Sequence, residues 1–181
     1  INIVQVVEET IHDNPITMIA KEKHQRLNLA KLRKNKIIAI IPICEGCLGD
    51  PCSYCKVKAA RGNLRSYPKQ EIIEEIRKAK IDRCKEIWLT AQDTGCYGKD
   101  IKTNLPSLLE ELIQIPGDFK IRLGMLNPNH ALEYLEDLIR IFKSEKFFKF
   151  IHIPVQSGNN LILQSMKRKY DAEDFKKIVS K

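Results

Sequence analysis

Apolar residues along the chain alternate between short unbroken runs and stripes at helical spacing. Ile37-Ile-Ala-Ile-Ile41 is fully apolar and rich in β-branched residues, which predicts a strand buried on both faces. Pro68 then opens a helix with Ile72, Ile73, Ile76 and Ala79 on one side and Glu and Lys opposite. Glu86–Thr90 is a second strand. Leu105, Leu108, Leu109, Leu112 and Ile113 mark a second helix, with Asn104 as cap and Pro106 in its first turn. Phe119–Met125 alternates as a third strand, and Leu132, Leu135, Leu138, Ile139 and Phe142 form a third helical stripe. Phe147–Ile153 reads as a fourth strand, Asn159–Lys169 has helical character, and Asp171-Ala-Glu-Asp174 starts another helix. The first residues are less regular: Val4, Val7 and Ile11 have helical spacing, His12–Pro15 is a turn, and Ile16–Ile19 is a possible strand.

Strand and helix alternating at this spacing imply βαβ units and a parallel sheet. The polar residues with chemical capacity follow the strands directly. They are the loop after Ile41, Gln92-Asp-Thr-Gly95, Asn127-Pro-Asn129 and Val155-Gln-Ser-Gly158. In a parallel β/α barrel such loops share the C-terminal face, where sites are built. Motifs more than 100 residues apart would thus meet at one mouth.

The first of these loops is Cys44-Glu-Gly-Cys47-Leu-Gly-Asp-Pro-Cys52-Ser-Tyr-Cys55, four of the chain's six cysteines. Thiols this close can surround one metal centre, since short loops cost little entropy to close. Two centres are open. Paired zinc knuckles using all four cysteines usually stand farther apart than Cys47 and Cys52, whereas iron–sulfur clusters accept tighter runs.

The cysteine loop resembles the cluster loop of radical S-adenosylmethionine enzymes, C-x3-C-x2-C with an aromatic, here Tyr54, before the last cysteine. Ala60-Arg-Gly-Asn-Leu-Arg-Ser-Tyr-Pro68, Glu86–Gly95, His152-Ile-Pro-Val-Gln-Ser-Gly158 and Met166-Lys-Arg-Lys-Tyr170 narrow the resemblance. Together they are similar to the methylthiotransferase family, in its archaeal and eukaryotic branch acting on threonylcarbamoyladenosine in tRNA. The chain departs from the pattern by one residue: four, not three, separate Cys47 from Cys52. That calls for a bulge at Asp50-Pro51 or another first ligand, and no other cysteine gives a better spacing.

The resemblance implies an α/β fold, a partial parallel β/α (TIM-like) barrel, as a radical-SAM core truncated at the C-terminus. Residues 1–20 would be the remnant of an N-terminal methylthiotransferase domain, 21–36 a basic linker and 37–181 the incomplete core. It implies a 4Fe–4S cluster on Cys47, Cys52 and Cys55, with one iron open to the amino and carboxylate groups of S-adenosylmethionine. One electron would cleave the sulfonium to a 5′-deoxyadenosyl radical. A second cluster is expected in the missing N-terminal region, a second S-adenosylmethionine would give the methyl group, and an electron donor is required. The substrate would be a tRNA anticodon loop, whose splayed bases suit a barrel mouth.

The remaining site candidates each have two readings. Tyr54 contacts the adenine or merely packs. Arg61 and Arg65 bind a phosphate or carboxylate, or are surface charge. Gln92, Asp93, Gln156 and Ser157 serve the ribose and methionine groups, or only start turns. Cys84 is expected to be buried, Cys96 to fill a turn on the active face, and Trp88 to be barrel- or helix-facing core. His12, His24 and His130 have no evident partners, and His152 reads as a strand residue.

Charge adds one feature. The 181 residues carry +8 at neutral pH, and 30% are charged. Lys21–Lys36 holds seven basic residues against one acidic, a local +6. A solvated linker and an arm on an RNA backbone both explain it. No apolar run is long enough to span a bilayer, and no signal peptide is visible. Clustered, reduced thiols then point to the cytoplasm. The resemblance implies a transferase modifying tRNA at C2 of the adenosine. Thiomethylation of isopentenyl-adenosine or of a ribosomal protein is the neighbouring alternative, and a zinc-stapled RNA-binding module the non-enzymatic one.

Overall fold

The protein is seen here as a computed structural model, which describes residues 3–17, 26–48 and 52–181. Helix α1 (Ile3–Ile11) comes first, with its apolar stripe exposed. Ile16 and Thr17 are not strand, and Met18 and Ile19 lie outside the described residues. The sheet consists of β1 (Ile38–Pro42), β4 (Glu86–Thr90) and β5 (Lys120–Leu123), all parallel, in the order β1-β4-β5. A two-stranded antiparallel piece, β2 (Cys44–Glu45) on β3 (Arg65–Ser66), follows the first strand, with α2 (Val57–Arg61) between its arms. The crossovers are α3 (Lys69–Ile81) and α4 (Leu105–Ile113). The latter is capped as its sequence demands, Asn104 accepting from Ser107 N at 2.9 Å.

Parallel pairing sets Ile38 opposite Glu86 and Glu86 opposite Lys120, so the strand ends align and their following loops share one end of the sheet. Ala39, Ile41, Ile87, Leu89, Ile121 and Leu123 point to one face and are buried among the isoleucines of α3 and the leucines of α4. The other face is open. Ile40 is 60% exposed, so β1 is buried on one face only, and Trp88 is part-buried on the barrel side, with Arg122 over its ring at 4.5 Å. The reason is that helices cover only the outside of a barrel-like sheet, while its concave side stays uncovered. The architecture is a partial α/β barrel.

The fourth expected strand is reduced to one parallel bridge, Ile121 with Phe147, supported by Phe148 N donating to Ile121 O at 3.0 Å. Phe147 is buried against Phe142, but Phe150 and Ile151 swing outward, exposed, before His152 O accepts from Leu126 N. Among the described residues no strand pairs with its far edge, so nothing holds this run flat. The third helical stripe is divided into α5 (Pro128–Glu133) and α6 (Leu135–Phe142) at Tyr134, with φ −115° and ψ 17°. The next helix, α7 (Asn160–Ser165), ends before Lys167, which takes φ +56° and turns the chain back. Helix α8 (Ala172–Val179) opens with a capping box of Asp171 and Asp174.

Residues 26–36 lie along α3. Leu27 is fully buried, and Glu75, itself 2% exposed, accepts from Asn28 N at 2.6 Å and pairs with Lys31. Arg33 reaches Asp82 at 2.7 Å. Lys21–Gln25 lie outside the described residues. Among the described residues no helix is long and apolar enough to cross a membrane.

Candidate active site

The loops that leave the three strands enclose an open cleft of about 560 Å³, its mouth included, lined among others by Cys47, Cys52, Asp93, Asn127, His130 and Arg168. Two features fix the cysteine loop. Its stem, β2 on β3, continues as a bridge from Cys47 to Asn63. Gly46 takes φ +80° there, and a Cβ on it would stand 2.3 Å from Asn63 O, so the position requires glycine on both counts. Gln92, from the end of β4, accepts from Gly46 N at 2.8 Å. The stem is joined to the turn after β4 as well: Gly98 N donates to Ser66 Oγ at 2.8 Å, and Tyr97 Oη to Tyr67 O at 2.9 Å.

Cys47, Cys52 and Cys55 are half-buried free thiols. Burial pushes the Cys47 thiol up, followed by the charge of Asp93 and those of Cys52 and Cys55. Cys55 N donates to Cys52 O at 3.0 Å, the tight turn expected of C-x-x-C, and Val57 N points at Cys55 Sγ at 3.4 Å. Arg168, brought back by the left-handed Lys167, donates to Cys52 Sγ at 3.2 Å and to Asn127 Oδ1 at 2.6 Å. The bulge expected at Asp50-Pro51 lies outside the described residues. Cys44 is buried, outside the cleft lining, its thiol donating to Asp93 O at 3.7 Å, and burial pushes its pKa well up.

The other predicted residues divide. Tyr54 and Gln156, 102 positions apart, meet through Tyr54 Oη donating to Gln156 Oε1 at 3.3 Å, with Gln156 at φ +69°. Asp93 lines the cleft but is 95% buried, its Oδ1 accepting from Gly95 N at 3.0 Å and Asn127 N at 3.2 Å. Gln92 supports the cysteine loop and does not line the cleft. Ser157 Oγ accepts from Asn159 N at 3.1 Å, a turn role. Arg61 is exposed at the end of α2, and Arg65 lies 5.7 Å from the Tyr67 ring.

Sequence reasoning placed Asn127 and Cys96 on the active face without a site role, and missed His130 and Arg168 as site residues. His130 does have partners: Cys96 Sγ at 3.4 Å, Glu133 Oε2 at 3.3 Å and Asp93 Oδ2 at 3.7 Å. Cys96 is more than turn filler, since it is buried in this network and burial, then the Asp93 charge, pushes its thiol up. Their signal was positional: Asn127 lies four residues after β5, and Arg168 lies inside the Met166–Tyr170 motif.

Residues 41–181 match the model of the Radical SAM superfamily. The chain belongs to that superfamily. It is 46% identical over 180 residues to a probable threonylcarbamoyladenosine tRNA methylthiotransferase of Pyrococcus horikoshii, and 45% identical over 185 residues to the threonylcarbamoyladenosine tRNA methylthiotransferase of Homo sapiens. Each alignment covers 98% of this chain but only 42% and 32% of those relatives' lengths. Among solved structures it resembles the radical S-adenosylmethionine methyltransferase TsrM of Kitasatospora setae, with cobalamin and a [4Fe-4S] cluster bound. There the TM-score is 0.63 at 14% identity, over 79% of this chain and 28% of that one, which shows the shared fold.

Proposed function

We propose that this chain is the radical core of an enzyme that thiomethylates C2 of N6-threonylcarbamoyladenosine beside the anticodon of tRNA. The observation that carries the reading is identity of 45–46% along nearly the whole chain to relatives named for that activity, one archaeal and one human. The cleft at the strand ends supports it. Three free thiols on one tight loop suit a 4Fe–4S cluster on Cys47, Cys52 and Cys55, which leaves one iron for S-adenosylmethionine. When bound, that pair supplies radical chemistry, and the protein's part is to bind, orient and exclude water.

The chain's own residues suit those tasks. Gln92 and the left-handed Gly46 fix the loop that presents the thiols. Tyr54, hydrogen-bonded to Gln156, offers an aromatic face beside Cys52 for an adenine, and Arg168 brings a cation to the same side. Asn127 and Arg168 form a connected polar wall against a methionine or ribose moiety, with Asp93 holding the Asn127 side chain in place. Arg61, exposed beside the cleft loop, is assigned to a tRNA phosphate, and Ser157 to the turn that carries Gln156.

A second 4Fe–4S cluster, as sulfur source, belongs to the proposal. Beyond the three cluster cysteines only Cys44, Cys84 and Cys96 remain, each buried, so its ligands are assigned outside these 181 residues. Residues 1–20 are assigned to an N-terminal domain, 21–36 to a basic connector and 37–181 to the core. An electron donor and a cytoplasmic setting complete the reading.

The test is deletion of the gene in its host followed by mass spectrometry of tRNA nucleosides. Loss of the 2-methylthio derivative of threonylcarbamoyladenosine is expected. Its persistence, with no second enzyme able to supply it, refutes the assignment, and loss of the isopentenyl-adenosine derivative instead transfers it to the neighbouring substrate.

A further inference from the structure

Beneath the cysteine loop three potential ligand atoms converge that the radical chemistry does not use. Asp93 Oδ2 and Cys96 Sγ come from the 3₁₀ turn after β4, and His130 Nε2 from α5. They are separated by 3.4 Å (Cys96 to Asp93), 3.4 Å (Cys96 to His130) and 3.7 Å (His130 to Asp93). We propose that these three residues bind a divalent transition-metal ion of the zinc type, with a water as fourth ligand on the cleft side.

The geometry fits such an ion. Zinc lies at about 2.3 Å from sulfur and at about 2.0–2.2 Å from nitrogen or oxygen. Tetrahedral angles then put sulfur about 3.6 Å from its neighbours and nitrogen about 3.4 Å from oxygen. The three observed edges need adjust by only a few tenths of an ångström. All three residues are buried, yet all three line the cleft, so a fourth corner has access to water.

The surroundings also fit. His130 Nδ1 faces Glu133 Oε2 at 3.3 Å, and Glu133 is in turn held by Lys99. A proton on Nδ1 donated to that carboxylate leaves the Nε2 lone pair directed at Cys96 and Asp93, the arrangement found behind metal-bound imidazoles. Asp93 is oriented by Asn127 through both its backbone N and its side chain, at 3.2 and 2.5 Å. Gly95 keeps the turn close to α5, since a Cβ there would stand 2.4 Å from His130 Cβ.

Thiol, imidazole and carboxylate together favour zinc, or cobalt as its substitute, over magnesium or calcium. Binding balances as one ion in and one proton out, the Cys96 thiol proton leaving to solvent. The site shares no ligand with Cys47, Cys52 and Cys55, and it stands whether or not the tRNA reading does.

Cobalt(II) titration, without oxygen, of the chain carrying Cys47→Ser, Cys52→Ser and Cys55→Ser provides the test. About one cobalt per chain is expected, with tetrahedral d–d bands and a thiolate-to-cobalt charge-transfer band, both displaced by zinc. Cys96→Ala is expected to abolish the charge-transfer band, and Glu133→Gln to weaken binding by about tenfold, the usual effect of losing such a partner. No charge-transfer band in the parent, or the same band in Cys96→Ala, overturns the proposal. Should the triple variant not fold, metal analysis of the iron-reconstituted wild type decides. About one zinc beside the iron is expected, lost in Cys96→Ala and His130→Gln with the iron retained. Zinc absent from the wild type, or unchanged in both variants, refutes it.

Discussion

Replacing Glu75 by Ala should release the basic segment from the core, and the structure gives the size of the effect. The Glu75 carboxylate sits on α3, and Oε2 accepts from Asn28 N at 2.6 Å while Oε1 faces Lys31 and, at 3.7 Å, Arg33. Without it the Asn28 amide loses a charged acceptor in a part-buried place, about 1.5–3 kcal/mol. The two cations contribute less, about 0–1 kcal/mol, because both side chains keep contact with water and Arg33 retains Asp82. The sum is about 1.5–4 kcal/mol. Released locally, the segment should lose roughly 10- to 700-fold of the hydrogen-exchange protection at Asn28, since each 1.4 kcal/mol is tenfold. If unfolding is global, the same loss lowers Tm by roughly 5–15 °C for a chain of this size. Glu75→Gln keeps an acceptor oxygen and should cost about half as much. Leu27→Ala, which empties a fully buried position on the same segment, should cost about 2–5 kcal/mol. Unchanged protection at Asn28 together with an unchanged Tm in Glu75→Ala would refute the reasoning, as would a Gln variant as damaged as the Ala variant.

Iron and sulfide analysis after anaerobic reconstitution should show the cluster lost in Cys47→Ala, Cys52→Ala and Cys55→Ala but retained in Cys44→Ala. Retention in Cys47→Ala with loss in Cys44→Ala would mean that the loop is read in another register. Gly46→Ala forces a Cβ to 2.3 Å from a backbone carbonyl at φ +80°, a cost of about 2–4 kcal/mol from strain and overpacking. Its melt and its iron content should both fall, and a normal iron content would separate the stem from the ligand geometry. Arg168→Gln removes an N–H donor and a positive charge from beside Cys52 Sγ, so the cluster's reduction potential should move downward, with Arg168→Lys between. A redox titration followed by electron paramagnetic resonance gives the answer, and equal potentials in all three proteins would show that the guanidinium does not reach the cluster.

The sheet was legible where burial on one face imposed a pattern. Ala39, Ile41, Ile87, Leu89, Ile121 and Leu123 all face the helices, and the three strands they mark are present and parallel. Phe147–Ile153 carries the same apolar signal but forms only one bridge. Strand propensity reflects fit to a half-buried neighbour, and this run has one on a single side. Helix ends were less legible. Asn104 and Asp171 announce starts through their side chains, whereas the stop at Lys167 needs a left-handed residue and no glycine marks it. The short β2–β3 stem has two residues per strand, too few to show any period.

The site was legible to the extent that chemistry was local in sequence. Four cysteines within twelve residues announce themselves, and the loops behind the strands meet because parallel pairing gives them no other place. Relations that depend on a side chain's direction were not. Gln92 and Asp93 are adjacent at one strand end, yet alternation along an extended backbone sends Gln92 to the cysteine loop and Asp93 into the buried turn. Arg168 reaches Cys52 across 116 positions only because Lys167 reverses the chain. The Cys96–His130 contact likewise joins the loop of one strand to the helix after the next, and a lone cysteine and a lone histidine carry no mutual spacing rule. What could have been argued in advance is their confinement. Cys96 lies six residues after the end of β4, and His130 seven after the end of β5, in loops that a parallel sheet must bring side by side. Two metal-capable side chains at matched distances behind neighbouring parallel strands are thus a pairing that sequence alone can nominate, and in this chain the nominated pair touches.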